Sequence, residues 1–165
     1  MSRFARLCET ASPTGSEAAV ASMVRSELEG FGFAVEEDDA AAAAGAECGN
    51  LLARIPGEAE GFVMFCAHLD TVPHDGPIDV VLEDGVYRSR GETILGADNK
   101  AAVAVLVELA ARYREQPPPI GIELLFTVAE EQGLRGAAAF DMARLRSRMA
   151  FVFDHATDIG EVIVA

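Results

Sequence analysis

Four stretches of the chain each close a hydrophobic run with a histidine or a carboxylate. They are Cys66-Ala67-His68-Leu69-Asp70-Thr71, Leu95-Gly96-Ala97-Asp98-Asn99-Lys100, Thr127-Val128-Ala129-Glu130-Glu131 and Phe151-Val152-Phe153-Asp154. Open α/β sheets gather ligands at the carboxyl ends of their strands. One imidazole and five carboxylates delivered to one such edge repel each other unless a positive centre sits among them. A pair of divalent cations answers that need, and the chemistry it offers is metal-assisted hydrolysis.

Taken singly, each stretch has a plainer explanation. His68 and Asp70 sit at i and i+2 after a strand, so both point to one side. His68 can bind a metal while Asp70 holds its other ring nitrogen; a histidine capping a strand end is the alternative. Asp98 precedes an apolar helix, where an aspartate N-cap is ordinary, yet a carboxylate held there can also bridge two cations. Glu130 and Glu131 are adjacent in extended backbone and point in different directions, so one can ligate while the other acts as a base; exposed loop acids are the alternative. Asp154 is a further acid at a strand end. His155 beside it is a weaker candidate, because neighbours in sequence rarely serve one metal, and His74 in Pro73-His74-Asp75-Gly76 reads as a loop residue or a substrate contact.

Several other chemistries are excluded. Ala97, not Lys, follows Gly96, so the Gly91–Lys100 stretch is no phosphate loop. Neither His-Glu-x-x-His nor Gly-x-Ser-x-Gly occurs. With 13 basic and 27 acidic residues the net charge is −14, which argues against nucleic-acid and anionic-membrane partners. Cys8, Cys48 and Cys66 are odd in number and widely spaced, which indicates buried thiols of a cytosolic protein and not a disulfide framework or zinc knuckle. The start Met1–Arg6 lacks the apolar core of a signal peptide, and the longest apolar run, Ala101–Val107, falls far short of the ~20 residues that span a bilayer. A soluble, cytoplasmic protein is the expectation.

The elements that must position these residues follow from pattern and punctuation. Half of the 165 residues are apolar, enough for one domain with a sizeable core. Ser16-Glu17 opens an amphipathic helix carrying Val20, Met23, Val24 and Leu28, stopped by Gly30 and Gly32. Phe33–Glu37 and Asn50–Ile55 read as strands, with the Ala40–Ala44 run between them a loop or a single helical turn. Phe62–Ala67 is a continuous apolar strand suited to a sheet covered on both faces, and Ile120–Val128 reads as another buried strand. Ile78–Arg88 reads as a hairpin turning at Asp84-Gly85. Asn99–Arg114, apolar around most of its circumference, predicts a buried helix ended by Pro117–Pro119. Gly136–Arg146 predicts another helix, Met149–Phe153 a strand, and Glu161–Ala165 a strand that looks cut short. Alternating helices and apolar strands make an α/β fold: three layers, with a mixed, mostly parallel central sheet flanked by helices.

Together the motifs resemble the co-catalytic dizinc exopeptidase and deacylase family that includes peptidase T, aminoacylase, carnosinase and succinyl-diaminopimelate desuccinylase. The matching stretches are His68-Leu69-Asp70-Thr71-Val72-Pro73, Gly96-Ala97-Asp98-Asn99-Lys100-Ala101, Glu130-Glu131-Gln132-Gly133-Leu134-Arg135-Gly136 and Phe153-Asp154. The wording Ile94–Lys100 is most similar to the peptidase T branch. The resemblance implies two zinc ions: His68, Asp98 and Asp154 on one, Asp98 bridging to a second held by Glu131. Glu130 would be the general base and acid, and Asp70 the partner that orients His68. It further implies cleavage of small peptides in the manner of a tripeptide aminopeptidase, with N-acyl amino-acid deacylation, or a non-catalytic interaction module, as alternatives. Two departures stand out. Ala102 replaces the family's usual Gly, and none of His68, His74 and His155 matches the late histidine that completes the second zinc site. Residues 1–165 are therefore expected to be the N-terminal portion of a catalytic domain, lacking the lid through which members dimerise and the C-terminal catalytic segment, and inactive alone.

Overall fold

The protein is described here by a computed structural model covering residues 2–155, 158 and 160–164. Helix α1 (Arg3–Glu9) opens the chain, its N-terminus capped by the Ser2 hydroxyl, which accepts from the Ala5 N–H. The sequence reading leaves this helix out. Helix α2 (Ala18–Gly30) buries Val20, Ala21, Val24 and Leu28, one stripe at helical spacing. Strand β1 (Val35–Glu37), the single-turn helix α3 (Ala41–Ala44) and strand β2 (Leu51–Ile55) follow, then the long strand β3 (Ala59–His68). A hairpin of β4 (Val80–Glu83) and β5 (Val86–Ser89) turns at Asp84 and Gly85, both at positive φ. Helix α4 (Ala97–Arg112), strand β6 (Ile120–Thr127), helix α5 (Arg135–Ala139) and strand β7 (Ala150–Val152) complete the order.

The main sheet has the order β1-β2-β6-β3-β7. β6 and β7 pair parallel to β3, and β2 pairs antiparallel to both β1 and β6, so β2 alone runs against the other four. Side-chain alternation then divides the strands between two faces. Leu51, Ala53 and Ile55 of β2, Ala67 of β3, and Ile122, Leu124 and Phe126 of β6 join α1, α2 and α4 in the main core. Leu52, Met64, Cys66 and Leu125 face the other way, under Phe140. Burying one side chain such as Phe126, which is fully covered, contributes ~1.5–3 kcal/mol.

Three expectations need correction. The Gly136–Arg146 stretch is not one helix: α5 stops at Phe140, whose backbone is extended, and Asp141 caps a separate 3-10 turn at Met142–Arg144 by accepting from the Ala143 N–H. An aspartate there offers the backbone a partner that competes with helix continuation. Helix α4 is not apolar-buried all round, since Ala101, Val105 and Glu108 form an exposed stripe. Glu161–Val164 make no strand, and Ala165 lies outside the described residues; β-branched residues form a strand only where a neighbour takes their N–H and C=O groups.

Register is what brings the motifs together. Cys66 pairs with Val152, which sets Asp154 level with His68 one strand over; His68 itself pairs with Thr127, just short of Glu130. Beyond β6 the backbone turns sharply, with Ala129 at φ 49°. Gly136 lets the returning chain lie against this turn: a Cβ there would sit 2.2 Å from the Val128 carbonyl oxygen. At the start of α4, Asp98 and Asn99 are non-helical, so the regular helix begins at Lys100.

Candidate metal centre

His68 is the hub. Its Nδ1 lies 2.9 Å from the Asp70 carbonyl oxygen and 3.3 Å from Asp70 Oδ1. Its Nε2 lies 3.2 Å from Asp98 Oδ1, 3.6 Å from Asp154 Oδ1 and 3.8 Å from Glu130 Oε2. Donor atoms of His68, Glu130 and Asp154 lie within 4.8 Å of one another, and so do those of His68, Asp98 and Glu131. All six residues singled out from the sequence thus meet in one place, five around a common space and Asp70 behind His68. His74 is elsewhere, its Nδ1 3.0 Å from the Gly76 carbonyl oxygen. His155 is exposed and lies outside both converging groups.

Asp70 is wholly buried and fully used. Its Oδ1 accepts from the Glu130 N–H (3.0 Å), and its Oδ2 from the Glu131 N–H (3.2 Å) and the Thr14 hydroxyl (2.8 Å). Burial alone would raise its pKa; the His68 contact and these three donors outweigh burial and hold it below the ordinary carboxylate range. Asp98, 74 % exposed at its side chain, sits at the mouth, where it lines a cleft of ≈ 680 Å³ with Asn99, Ala101, Ala102, Phe153 and Asp154. Asn99 steadies the far wall, donating to the Phe153 carbonyl (2.6 Å) and to Asp154 Oδ1 (3.3 Å).

The electrostatics fit a cation. Burial pushes the carboxyls of Glu130, Glu131 and Asp154 upward; the His68 charge pulls against it, and the neighbouring acids add to the rise. Burial pulls His68 down, but Asp70 and then the surrounding acids more than reverse it, to about 9. Both ring nitrogens face only oxygens, so the metal-free site keeps a proton on each. A divalent cation would take the place of the Nε2 proton and satisfy the same oxygens. An imidazole and four carboxylates suit zinc or another divalent ion of similar size.

Comparison with known proteins gives the chain its family. Residues 50–160, about two thirds of the chain, match Peptidase family M28. The chain belongs to this family. It is 32% identical over 167 residues to the uncharacterized protein YqjE of Bacillus subtilis, covering 100% of this chain and 45% of that protein. A peptidase T-like protein of Rhizobium meliloti is 34% identical over 96 residues, 58% of this chain and 23% of that protein. Among solved structures, aminopeptidase PepT from Bacillus cereus superposes with a TM-score of 0.91 at 34% identity, over 98% of this chain and 44% of that one. A tripeptidase from Staphylococcus aureus superposes at 0.88 and 30% identity, over 94% and 43%. The chain therefore spans less than half the length of these relatives. The mixed α/β sheet and the zinc-exopeptidase resemblance read from the motifs both stand. Among the described residues, no helix is long and apolar enough to cross a membrane.

The sequence reading missed the residues that hold the site from behind. Thr14 donates to the Asp70 carboxylate, and Glu17 and Asn50 accept from motif backbone N–H groups, but they lie 56, 112 and 78 positions from these partners. The only local signal was Ser16-Glu17, which reads as a helix start.

Proposed function

We propose that this chain carries the metal-binding half of a peptidase that hydrolyses the amide bond of small peptides, in the manner of a tripeptide aminopeptidase. The observation that carries the proposal is His68 Nε2, buried and facing three carboxylates within 3.8 Å, with Asp70 fixing the opposite nitrogen. The names and likeness of PepT and the tripeptidase support the peptide substrate. In this reading residues 1–165 form the N-terminal portion of a catalytic domain, and the rest of the relatives' length would provide the lid and the remaining ligand.

His68, Asp98 and Asp154 would hold one cation, with Asp98 shared toward a second on Glu131. When bound, such ions lower the pKa of water and polarise a carbonyl. The remaining work falls to this chain's own side chains. Glu130, its carboxyl raised by burial and by like charge, is suited to take a proton at Oε2 and return it to the leaving amine. Asp70 keeps the His68 proton on Nδ1 and, through two backbone N–H groups, orients the Glu130-Glu131 turn. The cleft beside Asp98 and Phe153 gives a small substrate room on the solvent side.

The test uses the full-length protein. Metal removal should abolish tripeptide hydrolysis and divalent ions restore it. Glu130→Gln should lower the rate ~10²–10⁴-fold, the usual worth of a general base, with metal content near normal. Glu131→Gln should instead lose about one metal equivalent. Equal metal loss in both variants would refute the division of roles, and preference for N-acyl amino acids over tripeptides would move the assignment to a deacylase.

A further inference from the structure

Among the described residues, three charged side chains are fully buried outside the donor cluster and its partner Asp70: Glu17, Lys100 and Glu123. Two have complete partners. Lys100 donates to the Leu7 and Thr10 carbonyls, and Glu123 accepts from Arg54, from the Arg146 and Ser147 N–H groups and from the Ser147 hydroxyl. Glu17 differs. It occupies the N-cap position of α2 yet makes no capping hydrogen bond to its own helix. Its Oε1 accepts from the Gly15 N–H (2.8 Å) and, across the fold, from the Ala129 N–H (3.0 Å). Its Oε2 is buried without a hydrogen-bond partner among the described residues. A carboxyl that forgoes its own helix and leaves an oxygen unsatisfied is held there by something other than helix capping.

Ala129 explains where the side chain is used. It stands at φ 49°, a left-handed conformation that is strained for an L-residue with a Cβ. The next two N–H groups, of Glu130 and Glu131, go to Asp70. Three consecutive amides of this turn are therefore fixed by two buried carboxyls, and both lead back to one segment. Thr14 holds Asp70, Glu17 holds Ala129, and Ser12 is bonded to the Leu69 carbonyl. Burial, the larger influence, raises the Glu17 pKa against its backbone N–H donors, and the Asp70 charge adds to this.

We propose that Glu17 is a positioning residue for the Glu130-Glu131 turn, acting through the Ala129 N–H and touching neither substrate nor metal. The inference rests on the function proposed above. Relaxation of Ala129 toward an ordinary φ would swing both glutamates, and displacement by about 1 Å can cost on the order of 10²-fold in rate.

The test compares Glu17→Ala, Glu17→Gln and wild type in the full-length protein. Glu17→Ala leaves the buried Ala129 N–H and the half-buried Gly15 N–H without their acceptor. It should lower kcat ~10–100-fold with KM within about twofold. It should also shift the visible absorption of the cobalt-substituted protein and speed amide exchange at residues 129–131 in the metal-free protein by about tenfold. Glu17→Gln restores an oxygen to both donors and should recover most of the loss. If Glu17→Ala does not fold, Glu17→Asp withdraws the oxygen from Ala129 while keeping the acid, and a several-fold fall in kcat is expected. Wild-type kcat, cobalt spectrum and exchange in a folded Ala or Asp variant would overturn the role of Glu17. Absence of metal-dependent hydrolysis in the wild type would instead defeat the parent reading, leaving the cobalt spectrum and amide exchange to judge Glu17 alone.

Discussion

The two faces of the central sheet do different work with the same strands. Toward α1, α2 and α4, alternate residues of β2, β3 and β6 enter one continuous apolar core. On the opposite face the buried apolar cluster is small, Leu52, Met64, Cys66, Leu125 and Phe140 with Leu145 partly buried against it, and polar positions flank it: Glu123 at one end of β6, Thr127 and His68 at the other. The period-2 alternation of a strand lets one residue stabilise while its neighbour performs chemistry, with no insertion between them. The thick face fixes strand register, and register sets Asp154 and Thr127 level with His68. Stability and function are therefore separable by residue parity along β6.

That separation is open to direct attack. Phe126 and Leu125 are adjacent on β6 and both buried, one on each face. Phe126→Ala should cost ~3–5 kcal/mol, because the large core closes only partly around the cavity. Leu125→Ala should fall near the lower end of its class, about 2 kcal/mol, because the thin cluster beneath Phe140 can collapse. Urea denaturation of both variants measures the difference. Equal losses would show that the second face is packed as firmly as the first.

A smaller effect probes the junction between core and site. Gly136 lies against the Val128 carbonyl, and its own N–H donates to that oxygen at 3.1 Å. Gly136→Ala forces backbone apart, not a flexible side chain, and should cost about 1–3 kcal/mol. Because the displaced strand end leads straight into Ala129, metal affinity should fall with stability. Thermal midpoints with and without metal would show this as a lost metal-induced stabilisation; an unchanged increment would mean the turn is held from the Glu17 side alone.

Much of this was legible in the sequence, for identifiable reasons. β6 and the last part of β3 are buried on both sides, so their apolar stretches stand out, and Asp84-Gly85 marks its hairpin because both residues take positive φ. Helix α1 was not legible: its seven residues are too few for a periodic signal, and Arg3 is anchored by Glu27 and Glu108 far along the chain. The break at Phe140 depends on that ring entering the small core, a tertiary fact. In the site, every residue at a strand end could be named from type and spacing. Thr14, Glu17 and Asn50 could not, since each is ordinary in its own neighbourhood and acts on motif groups that the fold brings to it from far along the chain.

The smallest effect concerns charge on the thin face. In metal-free protein His68 is held at about 9 against 6.5 for an unstrained imidazole, so the folded state keeps a proton that the unfolded chain releases. Its contribution is full below pH 6.5 and is lost as pH rises toward 9. The raised carboxyls of Glu130, Glu131 and Asp154 act in the same direction, since the folded state also holds their protons more tightly. Lys100 opposes this: burial lowers it to about 8, so its neutral form favours the fold as pH climbs beyond that value. The clean window is therefore pH 6.5 to 8. Across it the chelator-treated protein should lose roughly 1–2 kcal/mol of unfolding free energy, at about 1.4 kcal/mol per pH unit for one proton. Saturating divalent metal should flatten or reverse the slope, because the ion replaces the Nε2 proton and binds more tightly as that proton leaves. A metal-free protein whose stability rises between pH 6.5 and 8 would mean that the carboxylates do not hold His68 charged, and that the five acids do not share its space in solution.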